Sequence, residues 1–243
     1  MATAGCGTTR APGPESSPNP AQEHNHVSQR WIDNPSVNLM SPEGTFVRAW
    51  LESIHRLGNG GGHGQTLLAD GYPGFIRAFN NVRDYTSAGS GGPLIPGTTL
   101  VGTEYQEIVS FRRDGNQFTA AVCTYSSVVA IKRGDEFTTS GTSPSYHGES
   151  LSFGPDPALA PTDQRVPKAN QQGPAAAPTD NVFGTWIATH YTHGVDESGI
   201  DLNAPCNKLA PGTPPDWPNG RYVTSTPPPV LPPSPGWPEG GSA

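Results

Sequence analysis

The clearest hydrophobic pattern in the chain lies in SPEGTFVRAWLESIHRLGNGGG, residues 41–62. Phe46, Trp50, Ile54 and Leu57 recur at helical spacing, and Val47 and Leu51 widen the stripe. Ser41 is placed to cap this helix, Pro42 suits its first turn, Glu43 complements the dipole, and Gly58 supplies a stop. A second helix is predicted in GYPGFIRAFNNV, with Phe75, Ile76, Phe79 and Val82 on one face. Residues 85–99 read as a loop.

The pattern then changes period. EYQEIVSFRR and NQFTAAVCTYSSVVAIKR flank Asp114-Gly115, a strong hairpin cue. Apolar and polar residues do not separate cleanly between the two sides of the first strand. Further strands are predicted at 148–153 and within 181–193, where Trp186 and Ile187 are the apolar anchors. Residues 7–30, 155–180 and 207–243 show no hydrophobic period. They read as a flexible tether, a low-complexity excursion and a Pro-rich tail, extended or disordered. The predicted organisation is an anchor region and tether at 1–30, one domain at 31–206, and a tail at 207–243. Trp50, Phe46, Phe111 and Tyr125 are its expected core.

Composition sharpens this division. Of 28 prolines, twelve lie from Pro205 onward, which argues against regular structure there. A net charge of -7 without a basic face argues against a nucleic-acid partner. No apolar run approaches the roughly 18 residues that span a bilayer, so any membrane attachment must come from a lipid or a segment outside this sequence.

Three cysteines are an odd number. Ala4-Gly5-Cys6, followed by a Pro/Ser-rich tether, resembles the cleavage and lipidation site of bacterial lipoproteins. Thr3 stands where a large aliphatic is usual, and the basic start and apolar stretch of a signal are absent from the sequence. With Cys6 carrying palmitate-type lipid, Cys123 and Cys206 are left as a disulfide pair; three reduced thiols in a cytoplasmic protein are the alternative. The lipobox, the tether, a Trp-bearing first helix, one disulfide and the Pro-rich end together resemble secreted lipoproteins of mycobacteria and related actinobacteria.

Helices followed by an antiparallel meander give an α+β class, with N-terminal helices packed on a curved antiparallel sheet. This order, over residues 41–193, resembles the NTF2-like (cystatin-like) cone. The lipoprotein resemblance implies an extracytoplasmic, membrane-anchored domain, expected to bind an envelope protein or a small apolar ligand without catalysing a reaction. The cone's enzyme alternative is a ketosteroid-isomerase-like cavity lined by Tyr72, Asp84, Tyr105 and Tyr125.

Other chemistry is thin. His190 and His193 in HYTH are three apart and fall on opposite sides of a strand, with Asp196 and Glu197 near as oxygen donors. His24-Asn25-His26 lies in the tether. GNGGGHG lacks the Gly-Lys-Ser/Thr ending of a phosphate loop, and no Gly-x-Ser-x-Gly elbow occurs. Cys123, mid-strand, reads as bridged rather than nucleophilic. Trp217 and Trp237 belong to a tail that reads as a spacer or a partner-docking segment. No catalytic residue, metal or cofactor is expected.

Overall fold

The computed structural model describes residues 26–59, 64–83, 99–139, 146–216 and 220–240. Cys6, His24, Asp84 and Trp217 lie outside them. Two α-helices and eight strands within this set make an α+β fold whose sheet is mostly antiparallel and not closed. Among the described residues no helix is long and apolar enough to cross a membrane.

Helix α1 spans Pro42–Asn59. The Ser41 hydroxyl accepts the Gly44 N–H at 3.1 Å, satisfying one of the amides that a helix start leaves without a partner. Phe46, Val47, Trp50, Leu51 and Leu57 are buried as their spacing requires. Phe46 stacks on Phe153 of the sheet with ring centroids 4.6 Å apart, and Trp50 packs on Tyr191 at the same separation. Truncating either to Ala would cost about 3–5 kcal/mol.

Helix α2 is shorter than the sequence pattern suggests, Phe75–Phe79. Asn80 and Asn81 take left-handed φ values of 51° and 53° and end it. Five residues cannot carry the four-membered apolar face. Phe75 and Phe79 reach the core, whereas Ile76 is 61% exposed.

Strand β1, His26–Ile32, runs parallel to β2, Thr99–Asp114. It takes in the last residues of the segment read as a tether, because a row of half-buried polar side chains carries no alternation to detect. The remaining strands are β3 (Gln117–Tyr125), β4 (Val129–Arg133), β5 (Glu136–Thr139), β6 (Tyr146–Pro155), β7 (Trp186–His193) and β8 (Tyr222–Thr224). Tyr105, Gln106 and Glu107 pair with β1 and β3 together, and Val101 and Gly102 with β1 and β4 together. β1 therefore takes one edge of β2, while β3 and β4 follow each other along the opposite edge. Asp114 pairs with Gln117, so the hairpin turn is Gly115-Asn116, with Gly115 supplying φ +60°. A register shift between Ile108 and Ser110, together with cover on both sides, explains the mixed pattern of β2.

Two faces of the sheet carry different interiors. The larger core lies between the helices and one face. On the other face Tyr105, Tyr125, Val128 and Ala210 surround the disulfide Cys123–Cys206. Phe111 packs at the margin of the large core, while Tyr125 belongs to the disulfide cluster rather than joining Phe46 and Trp50.

The tail and the excursion are corrected by the fold. Trp237 is buried and exchanges backbone hydrogen bonds with Ala175, and β8 pairs with β5. The Lys168 N–H donates to Val182 O and the Asn170 N–H to Met40 O. Apart from β8 and one short 3-10 turn at Pro161–Asp163, both segments are mostly irregular coil held by the body of the protein, so the described fold continues past 206 to 240. Proline-rich backbone lacks internal hydrogen bonds, and here its polar groups find partners on other segments.

Candidate metal centre

The polar side of α1 meets protein as well. Arg48, Glu52 and His55 follow each other at i, i+4 and i+7, a stripe that composition would place in water. Arg48 and Glu52 are instead fully enclosed, and the His55 side chain is 9% exposed.

Arg48 and Glu52 form an anchor. Glu52 accepts three hydrogen bonds at 2.7 Å, from the Trp31 indole, the Tyr72 hydroxyl and the Trp237 indole. Arg48 donates to the carbonyls of Gln171, Pro235 and Gly236, and its guanidinium lies 4.4 Å from the Trp237 ring centroid.

His55 is arranged differently. Its Nδ1 lies 2.7 Å from Glu104 Oε2 on β2. Gln29 Nε2 also donates to that oxygen, at 2.8 Å, and Gln106 donates to Gln29 Oε1, so Glu104 is held from behind. This contact fixes the ring and leaves Nε2 pointing to β6. There it faces Glu149 Oε2 at 3.5 Å without a hydrogen-bond partner, although it is buried. His147 Nε2 lies 3.7 Å from the same carboxylate oxygen, and the two imidazole centroids are 5.7 Å apart. Glu149 is held in turn by the hydroxyl of Tyr191, which donates to Oε1, and by Thr124, which donates to Oε2 at 3.3 Å.

Strand periodicity brings His147 and Glu149 together, because residues two apart share a face. Between them Gly148 is required. A Cβ there would lie 1.8 Å from Leu202 O, and the Gly148 N–H donates at 2.9 Å to Asn203 Oδ1. The loop pressing on Gly148 is pinned by Cys206, whose disulfide partner Cys123 is the register neighbour of Gly148. The bridge thus clamps the back of the strand that carries His147 and Glu149.

In the metal-free protein the two carboxylates favour a protonated His55, so a metal ion would bind by displacing that proton. Burial alone would lower the His55 pKa, but Glu104 beside Nδ1 and Glu149 beyond Nε2 outweigh it and hold it well above the ordinary histidine value. Burial would raise Glu149, yet contacts with His55, His147 and Tyr191 bring it down to about 2. Glu104 is lowered by His55 in the same way, against its burial. For His193, burial and the neighbouring Arg83 lower the pKa, partly opposed by Glu149.

The ligand atoms of His55, His147 and Glu149 lie within 4.8 Å of one another. Tetrahedral Zn²⁺ with bonds of about 2.0–2.2 Å separates its ligand atoms by roughly 3.3–3.5 Å. Two contacts, 3.5 and 3.7 Å, are near that spacing. The ligand atoms of His55 and His147 lie within 4.8 Å, and His147, whose side chain is 41% exposed, has room to approach further. A ligating imidazole whose other nitrogen bonds a carboxylate is the usual support for such a site.

The sequence-derived candidates fall elsewhere. Cys123 is bridged, as expected. Tyr72 donates to Glu52 on the helix side, whereas Tyr105 and Tyr125 lie on the disulfide side, where Tyr125 donates to Glu107. These three therefore line no common cavity, and Asp84, the fourth, lies outside the described residues. Burial and Glu107 push the Tyr125 hydroxyl pKa up, which suits a packed donor. A cleft of about 560 Å³ opens beside Trp31, Asn38 and Pro235, and none of the three tyrosines lines it. His190 sits opposite Ser152 and His193 opposite Glu149, on the two faces that their spacing implied. The Asp196 carboxylate caps its own loop by accepting from the Ser198 and Ile200 amides. The signal that could have found the centre was His147-x-Glu149 at strand spacing; its third member, His55, carried no local signal. No protein-family model, curated protein or solved structure matches this chain.

Proposed function

We propose that this is an extracytoplasmic lipoprotein, tethered through lipid on Cys6, whose α+β domain binds a divalent transition-metal ion of the Zn²⁺ type through His55, His147 and Glu149. One observation carries the metal reading: the buried, unpartnered Nε2 of His55, aimed at Glu149 while Glu104 fixes the other nitrogen. A buried polar atom without a partner is costly unless something fills the place. Two imidazoles and a carboxylate are borderline donors that suit Zn²⁺ better than Ca²⁺ or Mg²⁺. Two carboxylates around one imidazole supply the compensating negative charge.

The disulfide supports an oxidising compartment, where such bridges persist. With Cys123 and Cys206 joined, Cys6 remains for the anchor. The helix-packed face of the sheet supports the NTF2-like cone, in which one side of a curved sheet is covered by helices. The role is binding, not catalysis.

Two measurements test this reading. Metal-stripped protein titrated with Zn²⁺ against a chromophoric chelator is expected to bind one equivalent, and Glu149→Gln to lose binding at least a hundredfold. Saturation failing at millimolar Zn²⁺ overturns the metal centre. Detergent phase partition of the cell-expressed protein is expected to place wild type in the detergent phase and Cys6→Ala in the aqueous one. An aqueous, unmodified wild type overturns the anchor.

A further inference from the structure

Three protein ligands leave a Zn²⁺ ion one position short of tetrahedral, and what fills it decides what the centre does. With water there, the ion is a Lewis acid with an activated hydroxide; with a fourth side chain, it is a closed site that holds metal. We propose that His193 is the fourth ligand, closing the set as three imidazoles and one carboxylate. This rests on the metal reading above and deepens it.

The argument begins from register. His193 of β7 is directly opposite Glu149 of β6 in an antiparallel pair. Side chains opposed in this way project from the same face with Cβ atoms about 4.5–5.5 Å apart. His193 is therefore a neighbour of the carboxylate that both other imidazoles face. Two residues earlier on the same face, Tyr191 donates its hydroxyl to Glu149 and lies nearly parallel to the His193 ring, with centroids 6.3 Å apart and planes at 16°. Tyr191 thus supports both members of the pair and is committed to Glu149 as a donor.

The other donors nearby are engaged or turned away. Glu104 is held by His55 and Gln29. His190 projects from the opposite face, with Glu197 3.9 Å from its ring nitrogen. His193 is exposed, so its ring has room to rotate toward the ion, as His147 does from the other side. The result is an ion held by one rigid, buried imidazole and one rigid carboxylate, with two surface imidazoles closing over it. Such a centre is suited to capturing and retaining metal, and it offers no vacant position to a substrate.

The experiment is ring-nitrogen NMR of the full chain labelled with ¹⁵N-histidine, before and after one equivalent of Zn²⁺. Three imidazoles are expected to take metal-bound nitrogen shifts. His193→Ala, folded by circular dichroism, is expected to leave two and to weaken Zn²⁺ binding roughly tenfold or more. His190→Ala is the control and should leave all three. Two shifted imidazoles with His193 unmoved would overturn the closed set and assign the fourth position to water, while leaving the three-residue centre standing. No shifted imidazole would overturn the metal centre itself.

Discussion

The same face of α1 carries two buried polar groups that have opposite characters. At Arg48 and Glu52 the charges are spent within the fold. Both Glu52 oxygens receive donors, Arg48 holds three carbonyls, and what they bind is the chain's own Trp31, Tyr72 and C-terminal coil. One turn further on, His55 has one nitrogen fixed and the other left over, beside a half-exposed histidine and a buried carboxylate. Burial alone therefore does not separate structural from functional polar residues. The distinction is what an unmatched atom faces. Glu52 has both oxygens matched, whereas Arg48 Nε and His55 Nε2 are each buried without a hydrogen bond. Of these two, His55 Nε2 faces a carboxylate, Glu149 at 3.5 Å, with a second imidazole beside it, which is the arrangement a metal ion would complete.

The comparison makes a double dissociation, and the largest effect belongs to the anchor. Glu52→Ala leaves two indoles unpaired, leaves the Tyr72 hydroxyl only the Ala176 carbonyl at 3.1 Å, and removes the negative charge that offsets buried Arg48. We expect a loss of about 3–5 kcal/mol in urea unfolding, with the Zn²⁺ affinity of the folded protein little changed. A cost below about 1 kcal/mol would dissolve the difference between the two groups. Next is the disulfide, which spans a sequence separation of 83. Paired Cys123→Ser and Cys206→Ser substitutions are expected to cost about 4 kcal/mol in chain-entropy terms. They should also weaken Zn²⁺ binding, because the loop against Gly148 loses its pin; unchanged affinity would show that the clamp is irrelevant to the centre.

Glu149→Gln should show the reverse hierarchy to Glu52→Ala. The amide retains a carbonyl for Tyr191, so the expected stability cost is smaller, about 1–2 kcal/mol. Zn²⁺ at a hundred times the wild-type dissociation constant should stabilise wild type by about 2.7 kcal/mol and this variant by no more than about 0.4 kcal/mol. Thermal denaturation with and without metal reads both.

The pH profile separates the groups in metal-free protein. His55 has a raised folded pKa. Its contribution is complete below the unfolded value of about 6.5 and is lost as pH rises through the folded one. Glu149, lowered to about 2, contributes above its unfolded value of about 4.3 and loses that contribution as pH falls toward 2. Urea midpoints of wild type minus His55→Gln should therefore shrink on the alkaline side, and those of wild type minus Glu149→Gln on the acid side. Parallel profiles would mean that neither charge is coupled to folding. The smallest effect sets the floor. Lys168 and Asp180 pair at 3.2 Å with side chains 48% and 74% exposed. Lys168→Ala should change stability by no more than about 0.5 kcal/mol.

Much of the scaffold was legible because local rules suffice for it. The stripe from Phe46 to Leu57, the Ser41 cap and the Asp114-Gly115 hairpin cue each name their own structure. The odd cysteine count pointed to the pair that is joined. Less legible were β1, whose polar residues give no alternation, and the tail, whose prolines conceal the burial of Trp237. The centre was not read from the sequence: the strand predicted at 148–153 begins after His147, so His147 and Glu149 are not placed on one face, and nothing local connects them to His55.

That division has one physical cause. The sequence by itself determined which residues share a helix or strand face, since a period of 3.6 or 2 is a property of neighbouring backbone. It did not determine what covers a face. Arg48, Glu52 and His55 form the same stripe whether it meets water or protein. Their cover comes from far along the chain: Gln171 and Pro235 reach Arg48 from 123 and 187 residues away. Glu104 reaches His55 across 49. Tertiary structure decided that this polar face is interior, and with it which polar atoms, Arg48 Nε and His55 Nε2, were left without a hydrogen bond.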